Sequence, residues 1–200
     1  MTRVKKVRIY FDDKSSKYQE NSTSFPWDFI RKYEKKIVTS LIGNVKNQII
    51  ADIGSGSGFY TKLLLKDKPK EIFAIDNSKK MLDKINDRKI KKIFQNAEFL
   101  KLNKKFDKIL CAGLIEFVGN PIKVLKNINK VGKKDAILVL LCPKNNIFGK
   151  LYKYFHLTNN FKINLFTFDE INILLKKTGW KVISKDDFLF SMVLKLKKNG

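Results

Sequence analysis

The apolar positions of this chain change rhythm near residue 48. Before it, Trp27, Ile30, Tyr33, Ile37, Leu41 and Ile42 recur at helical spacing, with Ser24 placed as N-cap, Pro26 in the first turn and Gly43 closing the helix. A polar stretch, SSKYQENSTS, precedes that helix and reads as a loop. After residue 48, short strand-like runs alternate with helical patterns. IIADI, EIFAID, KIFQNA, FDKILCA and AILVLLC are five strands in order. YTKLLLK, SKKMLDKIND capped by Ser78, and PIKVLKNINKV with Ile122, Leu125 and Ile128 on one face are the helices between them. AILVLLC is almost wholly apolar, as a strand buried on both faces requires. Such alternation predicts an α/β fold with a Rossmann-like, doubly wound, mostly parallel sheet.

The ending breaks that pattern. TFDEINILLKKTG carries a capping box, Thr167 with Glu170, and stops at Gly179. Two strand-like runs follow, WKVISK and FLFSMVLKLK, joined only by Asp186 and Asp187. A link that short permits an antiparallel hairpin and no parallel crossover, so the sheet should finish on a reversed strand. Residues 1–45 are expected to form a helical N-terminal cap and residues 46–200 the main domain.

Two hundred residues suit one domain with one good core. No apolar run reaches the roughly 18 residues of a membrane helix, and the basic N-terminus lacks an apolar signal core, so a cytoplasmic location is expected. Cys111 and Cys142 sit inside apolar runs without ligand spacing, which makes them core residues, and no metal site is expected. The net charge of +23 comes from 38 lysines and four arginines scattered along the whole chain. That scatter fits a solvated surface, or a general attraction to nucleic acid or anionic lipid.

The candidate chemistry begins at QIIADIGSGSGFYT. A glycine-rich first turn lets a ligand approach the backbone and offers amides at a helix start. Asp76 ends the second strand, 18 residues beyond Gly58, where an acid accepts hydrogen bonds from the two hydroxyls of an adenosine ribose. The ligand is therefore a dinucleotide or a mononucleoside with an amino-acid tail. The Gly-x-Gly-x-Gly spacing, the predicted hairpin, and Asp52 favour the second, because Asp52 would repel a pyrophosphate and attract an ammonium group.

IIADIGSGSGFYT, IFAIDNSKKML, FQNAEFLKL, FDKILCAGLIEFV and LLKKTGWKVIS together resemble the class I S-adenosylmethionine-dependent methyltransferases. The resemblance implies a seven-stranded sheet with an antiparallel last strand, and S-adenosyl-L-methionine bound across the strand C-termini. It places Asp52 near the methionine amino group and the backbone of Gly54, Ser55, Gly56 and Gly58 along the methionine and ribose. Asp76 would take the ribose hydroxyls, with Asn77 and Met81 beside the adenine. Asn96 stands where the family usually has an acid facing the adenine amino group, and its side-chain oxygen keeps the acceptor but not the charge. Ala97 would contribute backbone contacts, and Cys111 and Ala112 fall where the family's backbone carbonyl meets the methionine amino group.

VRIYFDDKSSKYQ resembles the opening segment of methyltransferases acting on small molecules, which folds over the donor. Tyr10, Phe11, Tyr18 and Tyr60 are thereby candidates to enclose donor and acceptor. Glu116 and His156 are the candidates to take a proton. The motifs of amino-methylating nucleic-acid enzymes and a Pro-Cys nucleophile are absent. The aromatic segment IFGKLYKYFHLTNNFKINLFTF either walls an apolar acceptor pocket, packs as core, or rests on a membrane surface. The expected function is methyl transfer to a small or lipid-like molecule. The alternatives are an RNA methyltransferase and a non-catalytic binding protein of the same fold.

Overall fold

The computed structural model describes residues 2–14, 27–158 and 161–199, with the side chains of Lys14 and Trp27 outside that description. Ser24, Pro26 and Tyr18 also lie outside the described residues. Among the described residues, two helices open the chain, α1 (Arg3–Lys14) and α2 (Trp27–Ile42). The alternating part then runs β1 (Ile49–Ile53), α3 (Phe59–Leu65), β2 (Glu71–Asp76), α4 (Lys79–Asp83), β3 (Ile90–Phe94) and β4 (Phe106–Ala112). It continues through α5 (Pro121–Val131), β5 (Gly132–Pro143), α6 (Ile147–Thr158), α7 (Phe168–Lys177), β6 (Trp180–Phe188) and β7 (Ser191–Lys198).

The seven strands form one sheet in the order β3-β2-β1-β4-β5-β7-β6. β1 to β5 pair in parallel, while β7 runs antiparallel to both β5 and β6. The reversed final strand is thus in place, but its turn differs from expectation. Asp186 and Asp187 lie inside β6, paired with Val193 and Met192, and the chain reverses at Leu189 and Phe190. The polar pair marked a turn because acids favour loops. On an exposed edge strand they meet solvent instead, and Asp187 meets Lys144 and Lys185. Leu189 takes a positive φ of 48°, held where Asn146 Nδ2 donates to its carbonyl and the Lys144 amide donates to that of Phe190.

Both faces of the sheet are covered. α5 and α7 bury Leu125, Ile128, Ile171 and Leu175 against Ile53, Ile109, Leu138 and Leu194. α2, α3 and α4 bury Val38, Ile42, Leu64 and Leu82 against Ile50, Ile72, Leu110 and Val139 on the other face. The second helix of the N-terminal region is therefore a layer of the main core. α1 and α6 belong to a third apolar cluster, built around Val7, Phe117, Phe161 and Ile163 with Tyr10, Phe11 and Tyr152 packed on it. Ser78 and the Thr167–Glu170 box cap α4 and α7 as expected.

Candidate active site

The C-terminal ends of the parallel strands converge on one cleft. After β1 the chain passes through Gly54, Gly56 and Gly58 with φ of 79°, 53° and 81°. Gly58 must be glycine on two counts, since a Cβ there would stand 2.9 Å from Ile85 Cδ1 at a left-handed backbone angle. Gly56 is different, because its missing Cβ would meet open space. That open space is a cavity of about 580 Å³, within the usual range of ligand sites.

Asp76 closes β2, and its two carboxylate oxygens accept the Gly56 and Ser78 amides, each at 2.8 Å. The sugar-binding candidate and the glycine loop therefore hold one another. Asp52 ends up 2 % exposed, accepting the Thr61 hydroxyl at 2.6 Å. Burial pushes its carboxyl up to about 7, helped by the neighbouring charge of Asp76. A cationic group arriving at the cavity would restore its ionised form. Ser55 Oγ is buried without a partner among the described residues. An unpaired hydroxyl beside an open glycine fits a polar ligand seated on this loop.

Asn77 and Met81 line the same cavity. Asn96 and Ala97 line a neighbouring one of about 30 Å³, roofed by Val4 and Val7 of α1. The two cavities share Val7, Gly54, Asp76, Asn77 and Leu114 in their linings. Asn96 Oδ1 already accepts the Glu98 amide at 2.7 Å, which leaves one lone pair for a ligand. Cys111 lies wholly buried in β4 and lines neither cavity; the lining falls on Ala112 and Gly113 just after it.

The wall opposite the glycine loop is aromatic and acidic. Glu116 sits in the turn after β4 and not at the start of a helix, since α5 begins at Pro121 behind its cap Asn120. It is 2 % exposed, lines the cavity, and its Oε2 has no partner among the described residues. Burial, with a smaller push from the nearby Glu34 carboxyl, raises it to about 8. His156 lies on the inner side of α6, with Nδ1 3.1 Å from the Tyr10 hydroxyl and its ring packed edge-on to Phe117 and Tyr152. Tyr10, Phe11 and Tyr60 also line the cavity.

Sequence reasoning missed Glu34, which faces this cavity from α2 and accepts the Ser191 hydroxyl. Its signal was present: Ile30, Glu34, Val38 and Ile42 follow at intervals of four, which puts an acid on a buried helical stripe. Arg31, three positions earlier, lies over the Phe59 ring and offsets the Glu34 charge.

A doubly wound sheet ending in a reversed strand, with a Gly-x-Gly-x-Gly loop after β1 and an acid closing β2, defines the class of S-adenosylmethionine-dependent methyltransferases. Residues 27–185 match the family model described as "Methyltransferase domain", and the chain belongs to that family. It is 26% identical over 137 residues to a malonyl-[acyl-carrier protein] O-methyltransferase of Neorickettsia risticii, covering 63% of this chain and 54% of that one. It is also 26% identical over 121 residues to a tRNA U34 carboxymethyltransferase of Campylobacter lari, covering 57% and 41%. The chain thus spans about half the length of these two relatives.

Among solved structures, magnesium protoporphyrin IX methyltransferase from Synechocystis with bound SAH superposes with a TM-score of 0.78 at 16% identity, covering 96% of this chain and 98% of that one. An S-adenosylmethionine-dependent methyltransferase from Clostridium acetobutylicum gives 0.73 at 14%, covering 92% and 99%. At these identities the likeness speaks for the fold. The cofactor of the family is S-adenosylmethionine. Among the described residues no helix is long and apolar enough to cross a membrane.

Proposed function

We propose that this chain transfers the methyl group of S-adenosylmethionine to a small, largely apolar acceptor held in the cavity above the strand ends. One observation carries the proposal: the cavity joins the open glycine loop to an aromatic wall containing the buried Glu116 carboxyl, whose Oε2 has no partner among the described residues. S-adenosylmethionine supplies a methyl already activated on a sulfonium sulfur. The protein then has to orient, exclude water, and accept a proton where the acceptor must lose one.

The residues divide that work along the cleft. The glycine loop and Ser55 give amides and a hydroxyl to the amino-acid part of the donor, and Asp52 faces its ammonium group. Asp76 takes the ribose hydroxyls, and Asn77, Met81, Asn96 and Ala97 border the base. Tyr10, Phe11, Tyr60 and Tyr152 wall the acceptor side and keep water out. Glu116 receives the acceptor's proton or its donor group, since an oxygen buried without a partner favours any ligand that pairs it. His156, hydrogen-bonded to Tyr10, fixes the position of α1 over the site.

The tRNA U34 carboxymethyltransferase relatives and the net charge of +23 favour a second assignment, in which an RNA base enters the same cavity. One experiment separates the two. Purified chain and tritiated-methyl S-adenosylmethionine are incubated with organic-extractable, aqueous small-molecule and tRNA fractions. Label in the organic fraction is expected. Label confined to tRNA would overturn the small-molecule assignment.

A further inference from the structure

α6 carries its apolar side chains on the wrong side for a packed helix. Ile147, Phe148, Leu151, Tyr154, Phe155 and Leu157 are 44 to 71 % exposed, while Gly149 and His156 face inward. The helix cannot roll to hide them. A Cβ on Gly149 would come within 1.8 Å of the Lys144 carbonyl, and Asn146 Oδ1 accepts the Gly149 amide at 2.8 Å. The inner face is also fixed by the His156–Tyr10 hydrogen bond and by Tyr152 stacked on Phe190 at 4.6 Å. The outward side chains form a patch on the order of 600 Å², at the upper end of what an ordinary monomer shows.

Basic groups surround the patch. Lys150 and Lys153 lie on its Leu157 flank, and neither enters an ion pair among the described residues. α1, joined to α6 through Tyr10, exposes Lys5, Lys6 and Arg8. An apolar stripe with lysines beside it suits an anionic bilayer, where the rings enter the acyl boundary and the ammonium groups meet headgroups. The patch also reaches the active site, since Phe155 belongs both to the exposed face and to the cavity lining. Across the mouth Phe59, 38 % exposed, lines the cavity too.

We infer that α6 is an interfacial helix that seats the protein on an anionic lipid surface with the mouth of the acceptor cavity toward the bilayer. The seat stands on exposure and charge alone. Only the delivery of an apolar acceptor from the lipid through that mouth rests on the function proposed above.

The test is co-sedimentation of the whole chain with vesicles of phosphatidylcholine, with and without about 30 mol % phosphatidylglycerol, at about 0.15 M salt. Wild type should bind the anionic vesicles and leave the neutral ones largely free. Leu151→Ser with Tyr154→Ser, neither lining the cavity, should weaken binding at least about tenfold. Lys150→Glu with Lys153→Glu should weaken it about tenfold more than Lys176→Glu with Lys177→Glu, which makes the same charge change on α7. Unchanged calorimetric affinity for S-adenosylmethionine shows each variant folded, and reads the donor site independently of lipid. Three results would overturn the seat: wild type in the supernatant, equal loss from both lysine pairs, or a wild-type dimer by light scattering that the Leu151/Tyr154 variant abolishes.

Discussion

Replacing Glu116 by glutamine should make the donor-free protein progressively more stable than wild type as pH rises. The buried carboxyl titrates at about 8 in the folded chain against an ordinary 4.5. The folded state therefore holds this proton over a range where the unfolded chain has released it. Between those two values stability falls with rising pH, and above about 8 the full penalty of a buried carboxylate is present. At about 1.4 kcal/mol per pH unit, the penalty is on the order of 5 kcal/mol. For a chain of this size that corresponds to roughly 10–20 °C in melting temperature.

Urea denaturation of wild type and Glu116→Gln at intervals from pH 5 to pH 9 reads it directly. The slope of the difference is the test, because the glutamine amide brings unpaired donors of its own that offset the absolute values. Asp52, also raised to about 7, titrates in both proteins and cancels, and Glu116 is not among the groups that shift it. The variant should gain on wild type from about pH 5 and level off above about pH 8 to 9. A difference constant within about 0.5 kcal/mol across the range would show that Glu116 is solvated or paired, and would remove the reason to place an acceptor's proton there.

Three further outcomes are expected. If Glu116 accepts a proton in turnover, kcat climbs with pH to a plateau, and Glu116→Gln loses that limb along with about a hundredfold in kcat at near-normal donor affinity. Asp76→Ala should weaken calorimetric binding of S-adenosylmethionine by about 10- to 100-fold, and Glu116→Ala by less than about threefold; equal donor affinity in wild type and Asp76→Ala would remove the ribose assignment. Gly56→Ala should cost about 1 kcal/mol of stability yet reduce donor affinity about tenfold, as its methyl group enters the cavity, whereas Gly58→Ala, which also meets Ile85, should cost about 2–3 kcal/mol in urea.

The parts of the fold that could be read from sequence are those where local chemistry and global packing agree. The boundaries of β2, β4 and α5 fall where the apolar runs and caps put them, because each run is buried on the side its period announces. The glycine loop was legible for a similar reason, since glycines at alternate positions have no use in a strand or helix, and a following acid at that distance narrows the ligand it could take. Glu34 escaped because its meaning depends on the far side of the cavity. A half-buried acid on α2 becomes informative only when β7 brings Ser191 to it and the turn after β4 brings Glu116 nearby.

α6 escaped for the opposite reason. Its apolar residues fill nearly every position that glycine, lysine and histidine leave, so the pattern does not tell which side faces inward. Its inward side sets Gly149 and His156 beside Tyr152, where a core helix would carry an unbroken row of large apolar side chains. That inversion follows from where the helix stands: it turns its narrow side to Lys144 and Tyr10 so that the cavity stays open behind it. Burying the apolar stripe instead would swing Phe148, Leu151 and Phe155 into the space the acceptor needs. An open cavity and an exposed helix are thus two consequences of one packing choice, and a substitution that lets α6 roll inward should remove lipid binding and acceptor turnover together while leaving donor affinity in place.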